Sequence, residues 1–329
     1  MKRVPNIFEY ATSELSQDAF ILWLLDWANP HYEETDADLC HTAQDFVRKL
    51  LNNHALEVES IVCHKQEKHI DVFAIINDKY ALIIEDKTNT SEHSNQLKRY
   101  SEWVSNKYTN LELHCVYYKT GNESKAKLSK LKETYHDDFP DVHFSIISRI
   151  DILEVVSNSR SNNAILDDYR KHIQSIQNST DLYKSAPYQN WSYLAWQGFY
   201  MRLEDELRTG DWGYVSNPSG GFLGYWWHQQ SVRNDSTIDL YLQFEQDKLC
   251  IKAYSNGESR PQFGWTNRFV QNAKELGLPV NFPHKRRTGT TMTLAVVDLD
   301  YILGDVSMNA VIEKLHKIEQ LVDDASSSL

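Results

Sequence analysis

Cysteine is scarce in this sequence and long apolar runs are missing, and each shortage excludes a class of protein. The four cysteines form no CxxC pair and lie far apart, at positions 40, 63, 115 and 250. This spacing argues against a zinc ribbon or a disulfide framework and suits a reducing cytoplasm. The richest apolar run, residues 19–28, is too short for a membrane helix, and the N-terminus does not resemble a signal peptide. We therefore expect a cytoplasmic protein that does not bind a membrane.

Several familiar enzyme motifs are missing as well, and positive charge is in short supply. The sequence has no P-loop, no GxSxG and no GxGxxG, so nucleotide hydrolysis and serine-esterase chemistry have no support. The 34 Lys and Arg face 46 Asp and Glu, for a net charge of −12, whereas nucleic-acid binders usually carry a basic face. Basic residues do cluster within residues 258–289 and between Lys119 and Lys132, so phosphate binding is not excluded.

The composition is that of a globular chain, with 41% hydrophobic and 24% charged residues among 329. Apolar periodicity predicts a first helix after Thr12 or Ser13, followed by alternating elements. We expect helices over about 43–52, 95–108 and 150–158 and strands over about 58–63, 70–76, 80–84, 111–118 and 142–147. This order predicts an α/β core with a mixed sheet.

A second domain is expected beyond a polar stretch at residues 178–189. We place an α/β domain at residues 1–180 and a smaller α+β domain at residues 181–329. The second domain holds six of the nine tryptophans and a predicted pair of strands over 238–245 and 249–254. Its expected role is to bind substrate or a partner protein.

Chemistry is expected at the end of the third predicted strand. Residues i and i+2 of a strand point to the same face, so Glu85 and Lys87 project together while Asp86 points away. If residues 77–79 form a three-residue loop, Asp71 lies directly across from Glu85 in an antiparallel pair. A two-residue loop would shift the register by one and move Asp71 off that face, unless a bend at the strand start restores it.

Such a cluster suits a metal-dependent reaction. Two adjacent carboxylates repel each other unless a cation lies between them, and their hard oxygens suit Mg²⁺ or Mn²⁺. A lysine beside such a metal can position a water and stabilise charge on a phosphate. The ordinary explanation of a Glu-x-Lys triplet is an exposed hairpin end. Here five nonpolar or aromatic residues precede the triplet and Asp71 lies one hairpin upstream, which favours a site.

These residues resemble the core motif of the PD-(D/E)xK nuclease superfamily. The motif here is Ile70-Asp71 followed by Ile83-Ile84-Glu85-Asp86-Lys87, with Ile70 in the place of proline. Gln96-Leu97-Lys98-Arg99-Tyr100 resembles the QxxxY helix motif of RecB-like and lambda-exonuclease-like members. The segment from Asn6 to Phe20 is similar to the start of a bacterial subgroup often linked with defence or mobile elements. The resemblance covers about residues 6–120, with a weaker extension to residue 155, and implies a restriction-endonuclease-like mixed sheet flanked by helices.

The resemblance also implies roles for the matching strand residues. Asp71 and Glu85 would bind Mg²⁺ or Mn²⁺, together with the backbone carbonyl of Asp86. Lys87 would orient the attacking water. The side chain of Asp86 stands where a neutral residue is more usual, so an extra carboxylate near the site is a departure from the family pattern.

Residues on two helices would complete the site. Glu14, on the first helix, would be an outer metal ligand, although a carboxylate at a helix start is also favoured by the macrodipole. Gln96 and Tyr100 are one helical turn apart and would present a shared face to the site or to the substrate phosphate. The alternative for them is an amphipathic helix that covers the sheet. Asp18, one turn after Glu14, is interpreted as structural.

A basic turn in the second domain is a candidate substrate-binding site. Lys285, Arg286 and Arg287 are suited to bind phosphates, and three upstream aromatic residues are suited to stack bases, namely Phe263, Trp265 and Phe269. A solvated basic turn beside a small aromatic core explains the same residues equally well. His64 and His69 flank a polar loop near Asp71, where contact with substrate is one interpretation and solvated histidines are the favoured one. The Trp226-Trp227-His228 run is expected to pack within its own domain.

The leading hypothesis is a Mg²⁺-dependent nuclease that hydrolyses phosphodiester bonds of nucleic acid, DNA rather than RNA, in phage defence or mobile-element biology. The competing hypothesis is a catalytically silent nuclease fold that serves as a binding or regulatory module of a defence system. The acidic charge favours the second and the complete residue set favours the first. A protein–protein scaffold, the third hypothesis, rests on the aromatic-rich second domain alone. Expected partners are nucleic acid and, beyond it, a second copy of the chain or a defence-system protein.

Overall fold

The computed structural model of the chain describes residues 5–11, 13–64, 67–88, 96–217, 220–257, 261, 263–284, 289–304 and 307–328, and at positions 235, 236, 263 and 328 the backbone alone. The chain divides into two compact units. The first contains Met1–Glu123 and Leu128–Asn178, and the second contains Ser124–Lys127 and Ser179–Leu329.

Six α-helices and five strands lie among the described residues from Glu14 to Asp181. They are α1 (Glu14–Trp27), α2 (Ala37–Leu50), β1 (Ile61–His64), β2 (Val72–Ile76), β3 (Tyr80–Lys87), α3 (Gln96–Lys107), β4 (Glu112–Lys119), α4 (Lys125–Asp138), β5 (His143–Ser148), α5 (Arg149–Ser157) and α6 (Ala164–Asp181). Helix α1 begins directly after Ser13, as predicted. Helix α2 begins six residues before its predicted start because Asp36 caps it, accepting a hydrogen bond from the Leu39 N–H at 3.0 Å.

The five strands form one sheet in the order β1-β2-β3-β4-β5. The pairs β1–β2 and β2–β3 are antiparallel, whereas β3–β4 and β4–β5 are parallel. Parallel neighbours need a crossover connection, and the chain supplies α3 and α4 for this purpose. The predicted α/β fold with a mixed sheet is therefore confirmed.

Both faces of this sheet are covered, which explains why β3 reads as an almost continuous apolar run. Leu82 and Ile84 join a core formed with α1, α2, α5 and α6. Ala81 and Ile83, which point the other way, join a separate core formed with α3 and α4. All eight residues of β3 are buried. Polar side chains at the end of this strand are consequently held in a low-dielectric setting.

The second unit is built on an antiparallel sheet. Its elements are α7 (Tyr193–Leu207), β6 (Asp211–Val215), β7 (Phe222–Val232), β8 (Asp235–Glu245), β9 (Leu249–Ser255), α8 (Phe263–Glu275), β10 (Val280–Asn281), β11 (Thr291–Val297), α9 (Leu299–Leu303) and α10 (Met308–Ser328). The strand order is β10-β11-β9-β8-β7-β6. Trp227 packs in the core of this unit, and its indole N–H donates to Glu319 at 2.7 Å. Across the residues that the structure describes, none of the helices is both long and apolar enough to cross a membrane.

Candidate active site

The register of the β2–β3 hairpin decides where Asp71 lies. Ile76 pairs with Tyr80 and Val72 pairs with Ile84, so residues 77–79 form the three-residue loop. Asp71, one residue before Val72, is thereby brought opposite Glu85, as the longer of the two loop alternatives predicts.

Asp71, Glu85 and Lys87 meet on the face of the sheet that α3 and α4 cover. The Lys87 ammonium lies 2.5 Å from Glu85 Oε1 and 4.0 Å from Asp71 Oδ2. The Asp71 Oδ2 atom also accepts a hydrogen bond from the Asp86 backbone N–H at 3.1 Å. The Glu85 side chain is fully buried, while that of Asp71 is 24% exposed. The two carboxylates thus share one cationic partner, and Asp71 opens the cluster to solvent.

Burial and neighbouring charges shift the protonation of this cluster. Burial raises the pKa of Asp71, against the opposing effects of the Lys87 ammonium and the Asp86 N–H. For Lys87, burial lowers the pKa, but the hydrogen bond and charge of Glu85 outweigh it, so the pKa lies above its ordinary value. Lys87 is therefore a cation in this arrangement, paired with the buried Glu85 carboxylate.

The Asp86 side chain points to the opposite face, as strand alternation predicts. Its Oδ1 atom accepts a hydrogen bond from Gln17 Nε2 on α1 at 2.5 Å. Burial, followed by the charge of Asp18, raises the pKa of Asp86 to about 9. Burial, followed by the charge of Asp71, raises the pKa of Asp18 to about 7. The extra carboxylate is thus held protonated at neutral pH in the absence of a cation.

Helix α1 brings a further carboxylate to the end of β3. The Thr88 backbone N–H, directly after Lys87, donates to Glu14 Oε1 at 3.2 Å. Glu14 is the first residue of α1, where the macrodipole favours a negative charge. The sequence-predicted outer ligand therefore reaches the strand end that carries Glu85 and Lys87.

Helix α3 contributes Gln96 and Tyr100, which share one face as their spacing predicts. Gln96 Nε2 lies 3.5 Å from the Tyr100 hydroxyl. That hydroxyl donates to the backbone carbonyl of His69 at 2.5 Å. His69 has a left-handed backbone with φ of 65°, and it lies two residues before Asp71. Tyr100 thus ties α3 to the turn that presents Asp71.

Residues 5–177 match the family model of the PD-(D/E)XK nuclease superfamily. The chain belongs to this superfamily. Comparison with curated proteins and with solved structures gave no match. Membership in this superfamily implies a metal-dependent nuclease, a hydrolase of phosphodiester bonds. The mixed five-stranded sheet that carries the Asp71, Glu85 and Lys87 cluster lies within the matched segment.

The sequence pattern missed three residues that this nuclease brings next to the cluster. Strand β4 pairs in parallel with β3, so Lys119 lies beside Lys87 and Tyr117 lies beside Glu85. Glu123 Oε2 accepts from the Tyr117 hydroxyl at 2.8 Å and lies 3.6 Å from Lys119 Nζ. The sequence places Lys119 in a basic cluster that extends to Lys132, but in the structure its side chain is 5% exposed and pairs with Glu123. The register of the parallel pair, which no local signal encodes, is what places it here.

The predicted substrate-binding residues Lys285, Arg286 and Arg287 lie outside the described residues. The aromatic residues upstream belong to α8, where Phe269 is fully buried in the core of the second unit and Trp265 packs against that core. Phe269 is therefore not available to stack on a base. His64 is half-buried, stacked on Phe73 and paired with Glu67 at 3.1 Å, so its interpretation as a solvated histidine is wrong.

The donor set of the cluster fits a divalent metal ion. Nucleases of this superfamily use divalent metals, and Mg²⁺ and Mn²⁺ prefer carboxylate oxygens. Asp71 and Glu85 already share the positive charge of Lys87, so two carboxylate groups converge on one place for a cation. Glu14 adds a third carboxylate at the same strand end.

Proposed function

We propose that this chain is a Mg²⁺- or Mn²⁺-dependent deoxyribonuclease whose chemistry depends on Asp71, Glu85 and Lys87. The observation that carries the proposal is the convergence of these three side chains on one face of the sheet, at the open end of β2 and β3. Support for DNA rather than RNA comes from the motif order, which resembles lambda-exonuclease-like and RecB-like members.

In this proposal Asp71 and Glu85 hold the metal, with the Asp86 carbonyl as a further ligand and Glu14 as an outer one. When bound, Mg²⁺ or Mn²⁺ supplies positive charge that offsets the charge on the scissile phosphate. The hydrogen bond from the Asp86 N–H orients the Asp71 carboxylate, while the Asp86 side chain points to the opposite face of the sheet and accepts a hydrogen bond from Gln17.

Lys87 orients the attacking water in line with the bond that breaks. A bond forms between the water oxygen and phosphorus, and the bond from phosphorus to the 3′ oxygen breaks. The attacking water loses a proton to the solvent, the departing 3′ oxygen takes one up from the solvent, and the products carry a 5′-phosphate and a 3′-hydroxyl. The ammonium also stabilises the charge that builds up on the phosphate oxygens. Its ion pair with Glu85 keeps the group charged and fixed before substrate arrives.

The Lys87→Ala substitution tests this assignment. We expect Mg²⁺-dependent cleavage to fall by about 10²-fold or more, because a positioned charge is lost from the transition state. The measurement is the cleavage rate of labelled DNA, with circular dichroism as a check that the fold is kept. Lys171→Ala is the matched control, since Lys171 is an exposed lysine paired with Asp167 on α6. Cleavage by the Lys87 variant at the normal rate would refute the assignment.

A silent nuclease fold used as a binding module is the second candidate, favoured by the net charge of −12. Calorimetry with Mn²⁺ separates the two functions when the native chain is compared with Asp71→Asn. The proposed nuclease binds Mn²⁺ at this cluster, and the variant loses that binding. An identical weak response of both proteins, without cleavage of DNA or RNA, would favour the binding module.

The biological setting proposed is phage defence or mobile-element biology, supported by the resemblance of residues 6–20 to a bacterial subgroup with that association. The second unit of the chain would hold substrate or a partner protein. Matched DNA and RNA strands of one sequence, linear and circular, test the substrate directly. Cleavage of RNA alone would overturn the DNA assignment while leaving the roles of Asp71, Glu85 and Lys87 intact.

A further inference from the structure

A second group of metal-ligating side chains lies at the other end of the same sheet. Glu112 and His114 stand two residues apart on β4, so they point to the same face. His143, the first residue of β5, pairs directly with His114 across the parallel ladder. The strands therefore bring two imidazoles and one carboxylate together without any contribution from a loop.

The geometry of these three side chains is close to that of a metal site. Glu112 Oε1 lies 3.1 Å from His114 Nε2 and 3.1 Å from His143 Nε2. The donor atoms all lie within 4.8 Å of one another, and the imidazole rings are stacked with centroids 4.6 Å apart. Zinc holds nitrogen and oxygen ligands at about 2.0–2.2 Å, which separates neighbouring donors by roughly 3.4 Å. Side-chain rotations that turn the two stacked imidazoles toward one ion would bring the three donors to that spacing.

The surroundings also favour a cation. The three residues line a cleft of about 400 Å³, together with Leu50, Leu51, Asn52 and Asn53. Helix α2 ends at Leu50, and the carboxyl end of a helix carries partial negative charge. The side chains of Glu112 and His143 are 42% and 62% exposed, which leaves a path for the ion, whereas that of His114 is 9% exposed and anchored.

We propose that Glu112, His114 and His143 form a binding site for Zn²⁺ or a similar borderline divalent metal, distinct from the carboxylate cluster of the nuclease. Imidazole nitrogen selects Zn²⁺ and its neighbours over Mg²⁺. Three protein ligands leave a fourth position open toward the cleft for water or an exogenous ligand. The metal fastens the start of the edge strand β5 to β4.

The site is independent of the proposed catalytic centre. Glu112 lies beside Tyr80, the first residue of β3, whereas Lys87 is the last residue of that strand. Seven residue steps at about 3.3 Å place the two ends roughly 20 Å apart. Substitutions at one site can therefore be used as controls for the other.

Metal titration of the full chain tests the proposal, with Asp71→Asn as the background that removes a ligand of the other site. We expect Zn²⁺ to bind and Co²⁺ to give the visible absorption of a tetrahedral site. His143→Ala changes an exposed residue and should weaken Zn²⁺ binding by at least roughly 10- to 100-fold. Loss of an outer-shell partner of a metal site already costs that much, and His143 would be a direct ligand. Zinc should also raise the melting temperature of the background protein but not that of the His143 variant.

His41→Ala is the matched control, because His41 is an exposed histidine that pairs with Glu33 at 3.3 Å and belongs to no such cluster among the described residues. It should bind Zn²⁺ as the background protein does. Glu112→Gln provides a second, near-isosteric variant with the same expected loss. Equal zinc affinity of the His143 and His41 variants, or absence of the tetrahedral cobalt spectrum, would overturn the proposal. Neither result depends on whether the chain cleaves DNA.

Discussion

Lys87 and its two carboxylate neighbours form a small charge cluster in which burial strengthens the attraction between opposite charges. The side chains of Glu85 and Lys87 are 0% and 7% exposed, so the attraction between them is screened much less than it would be at the surface. Removing one partner from such a pair leaves a buried charge, which is costly. The buried charges of Glu85 and Lys87 are therefore stable in the fold because each neutralises the other. The proposed metal would add a second cation next to carboxylates that Lys87 already partly neutralises.

Tyr100 is expected to act by positioning the turn before Asp71. Tyr100→Phe removes the hydrogen bond to the His69 carbonyl and should lower the free energy of unfolding by about 0.5–1.5 kcal/mol. Urea denaturation measures this loss. Tyr10→Phe is the control, because Tyr10 is 77% exposed, and it should leave stability unchanged. Equal stability of Tyr100→Phe and the native chain would show that the hydroxyl does not hold this turn.

At the scale of single elements, helix α5 carries a capping box that links stability to pH. Asp151 Oδ2 accepts from the Ser148 N–H at 2.9 Å, and Lys49 Nζ lies 2.9 Å from Asp151 Oδ1. Burial raises the pKa of Asp151, but the hydrogen bonds from Ser148 and Lys49 outweigh it and hold the pKa below its ordinary value. A carboxyl with a depressed pKa in the folded chain contributes stability above its unfolded pKa of about 4.

Asp151→Asn should therefore cost about 0.5–1 kcal/mol at neutral pH, the range for a lost cap at a partly exposed position. The difference from the native chain should shrink as the pH falls below about 4, where the carboxyl of the unfolded chain takes up a proton, and should vanish once the pH passes through the lower pKa of the folded carboxyl. Thermal melts of both proteins at several pH values provide the measurement. A difference that stays constant down to pH 3 would contradict the assigned ionic role.

Helices α7 and α8 each contain a glycine, and their surroundings predict opposite responses to alanine. A Cβ at Gly198 would overlap the backbone carbonyl of Thr180, whereas a Cβ at Gly264 meets nothing within 4 Å among the described residues. Alanine is the better helix former by about 1 kcal/mol. Gly264→Ala should therefore raise stability by about 0.5–1 kcal/mol. Gly198→Ala should lower it by about 1–3 kcal/mol through overpacking, and denaturant midpoints will show whether the signs differ.

At the scale of the whole molecule, the net charge of −12 opposes the binding of nucleic acid. A polyanionic substrate is repelled by an acidic chain unless cations intervene. We expect Lys87→Ala, which keeps the proposed metal ligands, to bind DNA at least about tenfold more tightly with Mg²⁺ than with EDTA, a difference of about 1.4 kcal/mol. Fluorescence anisotropy at several salt concentrations measures this effect.

The salt dependence provides a second outcome for the same experiment. Few phosphate contacts through Lys and Arg give a shallow decline of affinity with salt. Tight binding in EDTA with a steep decline would instead indicate a basic surface as the main binding element. The basic residues 285–287 would then be the first to test by charge reversal.

Much of the fold and part of the site follow from local sequence signals. Strand alternation places Glu85 and Lys87 on one face and Asp86 on the other, because successive side chains of a strand must point in opposite directions. The three-residue loop at 77–79 aligns Asp71 with Glu85, since a short hairpin loop sets the register of its strands. The spacing of Gln96 and Tyr100 similarly determines that they share a helical face.

Tertiary structure alone decided which distant residues join these local patterns. Lys119 lies beside Lys87, and His143 beside His114, because β3, β4 and β5 pair in parallel across long crossovers whose register no turn dictates. The contact between the Tyr100 hydroxyl and the His69 carbonyl is also a tertiary one, because the packing of α3 and not sequence spacing determines this partner. The sequence by itself placed Glu85 and Lys87 on one face and left two registers open for Asp71. The folded structure selected the register that brings Asp71 opposite Glu85, and packing decided the neighbours of this cluster and created the second, histidine-rich cluster at the other end of the sheet.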